Sequence, residues 1–399
     1  MLLRTRGIRA LGDGLVSVVL ASYLASVGLS DARVGLVITL TLLGSAALTL
    51  VVGLRAHSYS RRRLLQLVSL LMVATGIGFA LFEEFWPLAL VGLIGTLNPS
   101  GGDVSVFLPT EQALLPATVD DRDRTELFAR YALIGTLAAA VGALFAGVPH
   151  WIGRQLDVDD TTAIRAIFLV YACLGLIVLF HYRRLSPSIE PHESAPPTAL
   201  GPSRRTVYRL AALFSLDSFG GGFVITALLV LWLQRRFGLS IAVSGAVFFW
   251  AGVLAAFSAL VAVRIAKRIG LVRTMVFTHL PANVLLIVTV FMPTAPLAIA
   301  CLLGRAALSQ MDVPVRTSYV MAVVTPAERP AAASITNVPR SLAAALSPAL
   351  AGWMLSQSTF GWPLLVAGVL KALYDILLLV QFRDHRPPEE RTDALAAAG

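Results

Sequence analysis

RRLSPSIEPHESAPPTALGPSRRT, residues 183–206, is the one long polar stretch between apolar blocks in this 399-residue chain. It is rich in Pro and Ser and bracketed by arginine pairs, so it has nothing to bury and reads as a flexible linker. On both sides the sequence changes to apolar blocks long enough to cross a hydrocarbon core, about 20 residues each. Six precede the linker, at roughly 8–28, 34–54, 64–82, 88–116, 125–148 and 166–182. Six follow it, at roughly 207–233, 241–262, 275–292, 297–323, 332–357 and 363–382. The fourth, seventh and tenth blocks are long and carry charges, which makes them poor single straight helices. The expected fold is an all-α polytopic membrane protein with 12 transmembrane helices in two pseudo-symmetric six-helix bundles. Residues 1–182 and 207–383 would form the bundles, joined by the cytoplasmic linker 183–206, with 384–399 as a cytoplasmic tail.

Composition agrees. The hydrophobic set makes up 57% of the chain and charged residues 14%, against about 25% charged in soluble domains. Mean hydropathy is +0.77. A formal charge of +9 would suggest nucleic acid in a soluble protein. Here 21 of the 32 Lys and Arg fall on the side of the termini and linker, five on the other side and six inside spans. That asymmetry is a topology signal, and it places both termini in the cytoplasm. It leaves nucleic acid without a site. The first block follows a basic stretch but is long enough to stay as a span rather than a cleaved leader. The Arg- and Ala-rich composition, with only Lys267 and Lys371 as lysines, hints at a GC-rich bacterial genome and so at a bacterial plasma (inner) membrane.

Cys173 and Cys301 both lie in spans, so neither a disulfide framework nor a metal site is expected. No HExxH, GxSxG or phosphate-binding loop is present, so enzymatic activity and a bound cofactor are not expected either. A polytopic membrane enzyme or a receptor without transport stays open as the reading of another class.

The two halves repeat. Gly12-Asp13-Gly14-Leu15-Val16 aligns with Gly220-Gly221-Gly222-Phe223-Val224, 208 positions later. Gly28-Leu29-Ser30 recurs as Gly238-Leu239-Ser240 and Asp103-Val104 as Asp312-Val313, at offsets of 210 and 209. Single matches in Ala/Gly/Leu-rich text are cheap, but their order at near-constant offset points to a duplicated six-span unit.

Twelve spans, a central linker and paired repeats resemble the major facilitator superfamily over nearly the whole chain. That family carries a loop motif between spans 2 and 3, roughly Gly-x-Leu-Ala-Asp-Arg-x-Gly-Arg-Arg. Here the loop reads Gly53-Leu54-Arg55-Ala56-His57-Ser58-Tyr59-Ser60-Arg61-Arg62, with His57 and Ser60 in place of the aspartate and second glycine. A partial copy follows span 8, Ala266-Lys267-Arg268-Ile269-Gly270. Arginines in so short a loop can cap helix C-termini and latch neighbouring loops, or they can simply anchor topology. Gly53, Arg61, Arg62, Arg268 and Gly270 are the latch candidates, and His57 would make the latch weaker or pH-sensitive. Glu111 and Arg130, at similar depth on consecutive spans, are expected to join it as a bundle clasp.

A charge at membrane depth costs about 2.5–3.5 kcal/mol on insertion scales, so each one is a functional candidate until paired. The spans hold Asp13, Asp103, Glu111, Asp217, Asp312 and Asp375 against Arg130, Arg209, Arg305, Arg316, Arg340 and Lys371. Lys371 with Asp375, and Asp312 with Arg316, are spaced i,i+4 on one helix face. Asp103 and Asp312 each lie 15 residues into their blocks, about 22 Å along a helix. Asp103 also follows the loosened backbone of Asn98-Pro99-Ser100. Asp13, Asp103, Asp217 and Asp312 are the proton-coupling candidates. Arg305, Arg340 and Asn98 are the substrate-binding candidates. A Gly142-Ala143 and Gly147 pattern in span 5 faintly resembles the antiporter motif of exporters in the superfamily, although ordinary helix packing accounts for it as well. Taken together, the resemblance implies a secondary transporter working by alternating access in a lipid bilayer, with protons driving export of a small organic solute or drug. Uptake of a small metabolite is the alternative, and no oligomer is required.

Overall fold

The computed structural model describes residues 1–54, 60–100, 106–115, 124–186, 200–325 and 328–383. Asp103, His57, most of the linker and the tail after residue 383 lie outside the described residues. Those described are helical or in short connections. The first half contains α1 (Leu2–Ser26), α2 (Asp31–Leu54), α3 (Arg61–Leu81), α4 (Phe85–Ile94), α5 (Phe107–Leu114), α6 (Arg124–Phe145), α7 (Val148–Leu156) and α8 (Asp160–Arg183). The second half contains α9 (Arg204–Gly222), α10 (Thr226–Phe237), α11 (Ile241–Ile269), α12 (Leu271–Val290), α13 (Ala295–Ser309), α14 (Asp312–Ala322), α15 (Arg329–Gln357) and α16 (Trp362–Phe382). Among the described residues ten stretches are long and apolar enough to cross a membrane. Adding the α4–α5 pair and the more polar α15 brings the count to the expected twelve.

The three suspect spans are the broken ones: α4 and α5, α9 and α10, α13 and α14. A break at membrane depth is tolerated only where the freed backbone groups find partners. Two breaks satisfy each other. Past the end of α4, the Pro99 carbonyl accepts from the Ala227 N–H at 3.2 Å, and the Ser100 carbonyl accepts from the Thr226 hydroxyl at 2.9 Å. Both donors belong to the first turn of α10, where N–H groups have no intrahelical partner.

Two compact units form. One comprises residues 1–194, 224–253 and 348–361, the other 195–223, 254–347 and 362–399. In the first, α1 packs against α6, α8 and α10, α3 against α8, and α2 against α4. The α1–α6 seam is very close. A Cβ on Gly14 would strike the Ala139 carbonyl, and one on Gly142 the Leu11 carbonyl. Packing therefore accounts for the small residues of span 5. An Asp31–Arg235 ion pair of 2.8 Å ties the start of α2 to the end of α10.

In the second unit α12 packs against α13, α14 and α16, and α16 against α9. Val207, Phe214, Met275, Val315, Tyr319 and Tyr374 lie in its apolar core. The duplication is visible in backbone geometry: Gly28 and Gly238 both have positive φ, +89° and +66°, at the ends of α1 and α10. No atom crowds either position, so left-handed backbone alone selects glycine there.

At one edge of this unit Glu328 clasps the end of the linker. Its carboxylate accepts from the Gly201 N–H at 2.6 Å, the Ser203 hydroxyl at 2.8 Å and the Thr325 hydroxyl at 2.8 Å. The Thr325 hydroxyl first, then the Gly201 N–H, hold the Glu328 carboxyl down at about 2. A depressed carboxylate stabilises the fold above its unfolded value, about 4.3, and that contribution is lost as pH falls through the folded one. The gap in melting temperature between wild type and Glu328→Gln is therefore expected to be largest above pH 5. It should narrow steadily toward pH 2, which a pH series of thermal unfolding in detergent would read.

Candidate functional site

Four helices of the second unit, α9, α12, α14 and α16, send titratable side chains into one cluster. Asp217 of α9 lies at its centre, 5% exposed. Lys371 of α16 donates to its Oδ1 at 2.5 Å, and Arg316 of α14 donates to its Oδ2 at 3.2 Å. Arg316 also reaches Asp312 at 3.5 Å, so the i,i+4 pair expected on α14 forms and is shared with a second carboxylate. His279 of α12 stands between two acids. Its Nδ1 is 2.9 Å from Asp375 Oδ1, and its Nε2 is 3.7 Å from Asp217 Oδ1. Asn283, one turn along α12, donates to the other oxygen of Asp375 at 2.8 Å. Chemically this is a carboxylate–imidazole–carboxylate arrangement with two bases on one end, in which the 2.9 Å link to Asp375 is a hydrogen bond and the 3.7 Å link to Asp217 is longer than one.

The expected Lys371–Asp375 pair is thus replaced. Lys371 turns to Asp217 on a neighbouring helix, and Asp375 is satisfied by His279 and Asn283. A side chain as long as lysine chooses its partner by the packing of α9 on α16, which i,i+4 spacing does not contain. His279 and Asn283 were missed by sequence reasoning. Their own i,i+4 spacing in an otherwise apolar span was the available signal. Arg340 of α15 donates through Nε to the Ser218 hydroxyl at 2.9 Å. The Arg305 Nε of α13 is buried without a hydrogen-bond partner among the described residues.

The first unit holds a second buried cluster, on Glu111 of α5. This fully buried carboxylate accepts from Arg9, Tyr131 and Tyr182, and from the Thr5 hydroxyl at 2.8 Å. The Arg9 guanidinium stacks over the Phe107 ring at 4.2 Å. The expected Glu111–Arg130 clasp does not form. Arg130 is exposed and pairs with Glu126 on its own helix. Arg9, counted with the loop bases in the sequence, is 1% exposed because α1 begins six residues earlier than the apolar block. Asp13 is buried on α1, within electrostatic reach of Arg9 and Arg6. Asn98 is buried too, and its Oδ1 accepts from the Ser100 hydroxyl at 2.6 Å and N–H at 3.1 Å. It holds the turn after α4.

The model of the Major Facilitator Superfamily matches residues 5–309 and 210–398. The chain belongs to this superfamily. An uncharacterized membrane protein of Saccharomyces cerevisiae is 25% identical over 94% of this chain and 92% of its own length. Among solved structures, a bacterial homolog of the human lysosomal transporter Spinster, inward-facing and occupied, is similar at a TM-score of 0.73. It shares 15% identity, over 96% of this chain and 97% of its own. A D-xylose–proton symporter is similar at 0.71, with 15% identity over 94% and 96% of the two chains. Membership makes this chain a multi-pass membrane protein of a transporter superfamily.

The superfamily's loop motif can be followed on the residues described. Gly53 falls in the last turn of α2. Arg62 donates to the Arg183 carbonyl at 2.7 Å, capping the C-terminus of α8 as loop arginines are expected to. Arg61 opens α3. In the partial copy Arg268 is exposed in the last turn of α11. Gly270 caps α12 at φ +86°, so glycine there answers to backbone conformation.

Proposed function

We propose that this protein is a proton-coupled secondary transporter that moves a small organic solute by alternating access, in the direction of export. The observation that carries this reading is the node at Asp217, where one buried carboxylate joins α9, α14 and α16 through two bases and reaches α12 through His279. Protonating Asp217 removes the charge that holds Lys371 and Arg316. The helices around it are then free to adopt a second arrangement, which links proton movement to a change of access. His279 and Asp375 supply the onward step for the proton. Asp13 offers a second acid in the first unit, near two arginines. The direction is the one that the exporter-like Gly142–Gly147 stretch suggests, on a seam whose close packing also asks for small residues. The Arg- and Ala-rich composition supports a bacterial plasma membrane, the arginine distribution supports cytoplasmic termini, and the reading requires no oligomer.

The test is solute-dependent proton flux into proteoliposomes loaded with a pH-sensitive dye. The solutes are succinate, benzoate, glycerol 3-phosphate, xylose, uridine and tetraphenylphosphonium. Wild type is expected to couple at least one of them to proton movement, and Asp217→Asn to lose that coupling. Equal fluxes in wild type, Asp217→Asn and Asp13→Asn would remove both acids from the coupling, and no solute-dependent proton flux in wild type would remove the proton from the mechanism. Movement of no solute by wild type would remove transport itself.

A further inference from the structure

The charges of the second unit do not cancel. Asp217, Asp312 and Asp375 face Lys371, Arg316, Arg305 and Arg340, and the contacts assign every carboxylate without using the last two. Lys371 and Arg316 take Asp217, Arg316 takes Asp312, and His279 with Asn283 takes Asp375. Among the described residues Arg340 has only the neutral Ser218 hydroxyl as a hydrogen-bond partner, and Arg305 keeps a buried Nε without one. Both guanidinium groups lie in the field of Asp217, so they border the cluster that the transport reading uses. The Tyr374 hydroxyl, an electrostatic neighbour of Arg340, is likewise buried without a partner, as is the Asn283 Oδ1. Two cations without a carboxylate contact among the described residues, and a net excess of one positive charge, cost about 2.5–3.5 kcal/mol per unpaired charge on insertion scales. That is a poor way to build a resting helix bundle and a good way to build an anion site. Guanidinium presents its donors as a planar fork matched to carboxylate and phosphate oxygens.

We propose that Arg305 of α13 and Arg340 of α15 bind the acidic group of the transported solute, which is therefore a small organic anion carrying a carboxylate, sulfonate or phosphate. The inference rests on the transporter reading and narrows its substrate class. The Tyr374 hydroxyl, beside Arg340, supplies a polar partner for the rest of such a molecule.

The same oxyanion chemistry could come from a lipid headgroup, and the experiment separates the two. Purified full-length protein in dodecyl maltoside is melted with succinate, benzoate, methanesulfonate or glycerol 3-phosphate at matched ionic strength. Parallel arms contain xylose, uridine, tetraphenylphosphonium, or phosphatidylglycerol. At least one small anion is expected to raise the melting temperature, with apparent affinity weakened tenfold or more in Arg305→Gln and Arg340→Gln and partly kept in Arg340→Lys. The ligand-free glutamine variants should melt no lower than wild type, because each removes an uncompensated charge. A purely structural arginine would behave in the opposite way. Stabilisation only by neutral, cationic or lipid additives, equal anion binding by the glutamine variants, or no response to any anion would each overturn the proposal. A neutral solute that drives proton flux equally in wild type and both glutamine variants would end the anion inference and leave the transporter reading standing.

Discussion

Glu111→Ala is expected to be the most destabilising single substitution in the first unit, while Arg130→Gln is expected to be nearly silent. Glu111 takes a charged donor and three hydroxyls in a site with no exposure. Removing one partner of a buried ion pair costs about 3–5 kcal/mol, because the other charge is left in a medium that cannot solvate it. The stranded group is Arg9, left with the face of Phe107 and the longer-range field of Asp13. Each hydroxyl adds a smaller loss, about 0.6 kcal/mol on average inside membranes. Glu111→Gln should fall between, since it keeps an acceptor oxygen and loses the charge. Arg130 and Glu126 form an exposed pair on one helix, a class worth about 0.3–0.5 kcal/mol. Melting temperatures in detergent should therefore separate Glu111→Ala from Arg130→Gln by on the order of 10 °C. Equal melting temperatures for those two variants would mean that the Arg9–Glu111 cluster does not support this unit.

The contrast between Arg9 and Arg130 shows what a sequence of this kind reveals. Span number, the broken fourth, seventh and tenth spans and the duplicated glycines were all legible, because each depends on local length, hydropathy or backbone conformation. The pairing of charges was not. Arg9 stands at the very start of the first apolar block and reads as a loop base, yet α1 starts at Leu2 and carries it into the protein. Arg130 and Arg209 lie inside apolar blocks and are nonetheless exposed. Spacing along one helix found Asp312 with Arg316 and misassigned Lys371, because the decisive contacts run between helices far apart in sequence. His279 is legible in the sequence only as a lone histidine in an apolar span, since its meaning comes from Asp217 and Asp375 on two other helices. The aspartates and arginines singled out for function in the second half do gather around one point, and what the sequence lacked was their wiring.

That wiring makes an asymmetric forecast for the second unit. Asp217→Asn leaves Lys371, Arg316, Arg305 and Arg340 facing only Asp312 and Asp375, so it deepens an existing excess of positive charge. Lys371→Met removes one base from that excess and leaves Asp217 with Arg316 at 3.2 Å. Asp217→Asn should therefore cost the full amount of a broken buried pair, about 3–5 kcal/mol, and Lys371→Met distinctly less. The double variant should recover part of the loss, since removing both partners of a buried ion pair is often close to neutral. A double-mutant cycle on melting temperature reads all three. The same variants divide folding from coupling. A well-folded double variant that still moves its solute without protons would assign the coupling to Asp217 itself. A double variant with normal proton flux would show that Asp217 holds the helices together and that the proton travels elsewhere.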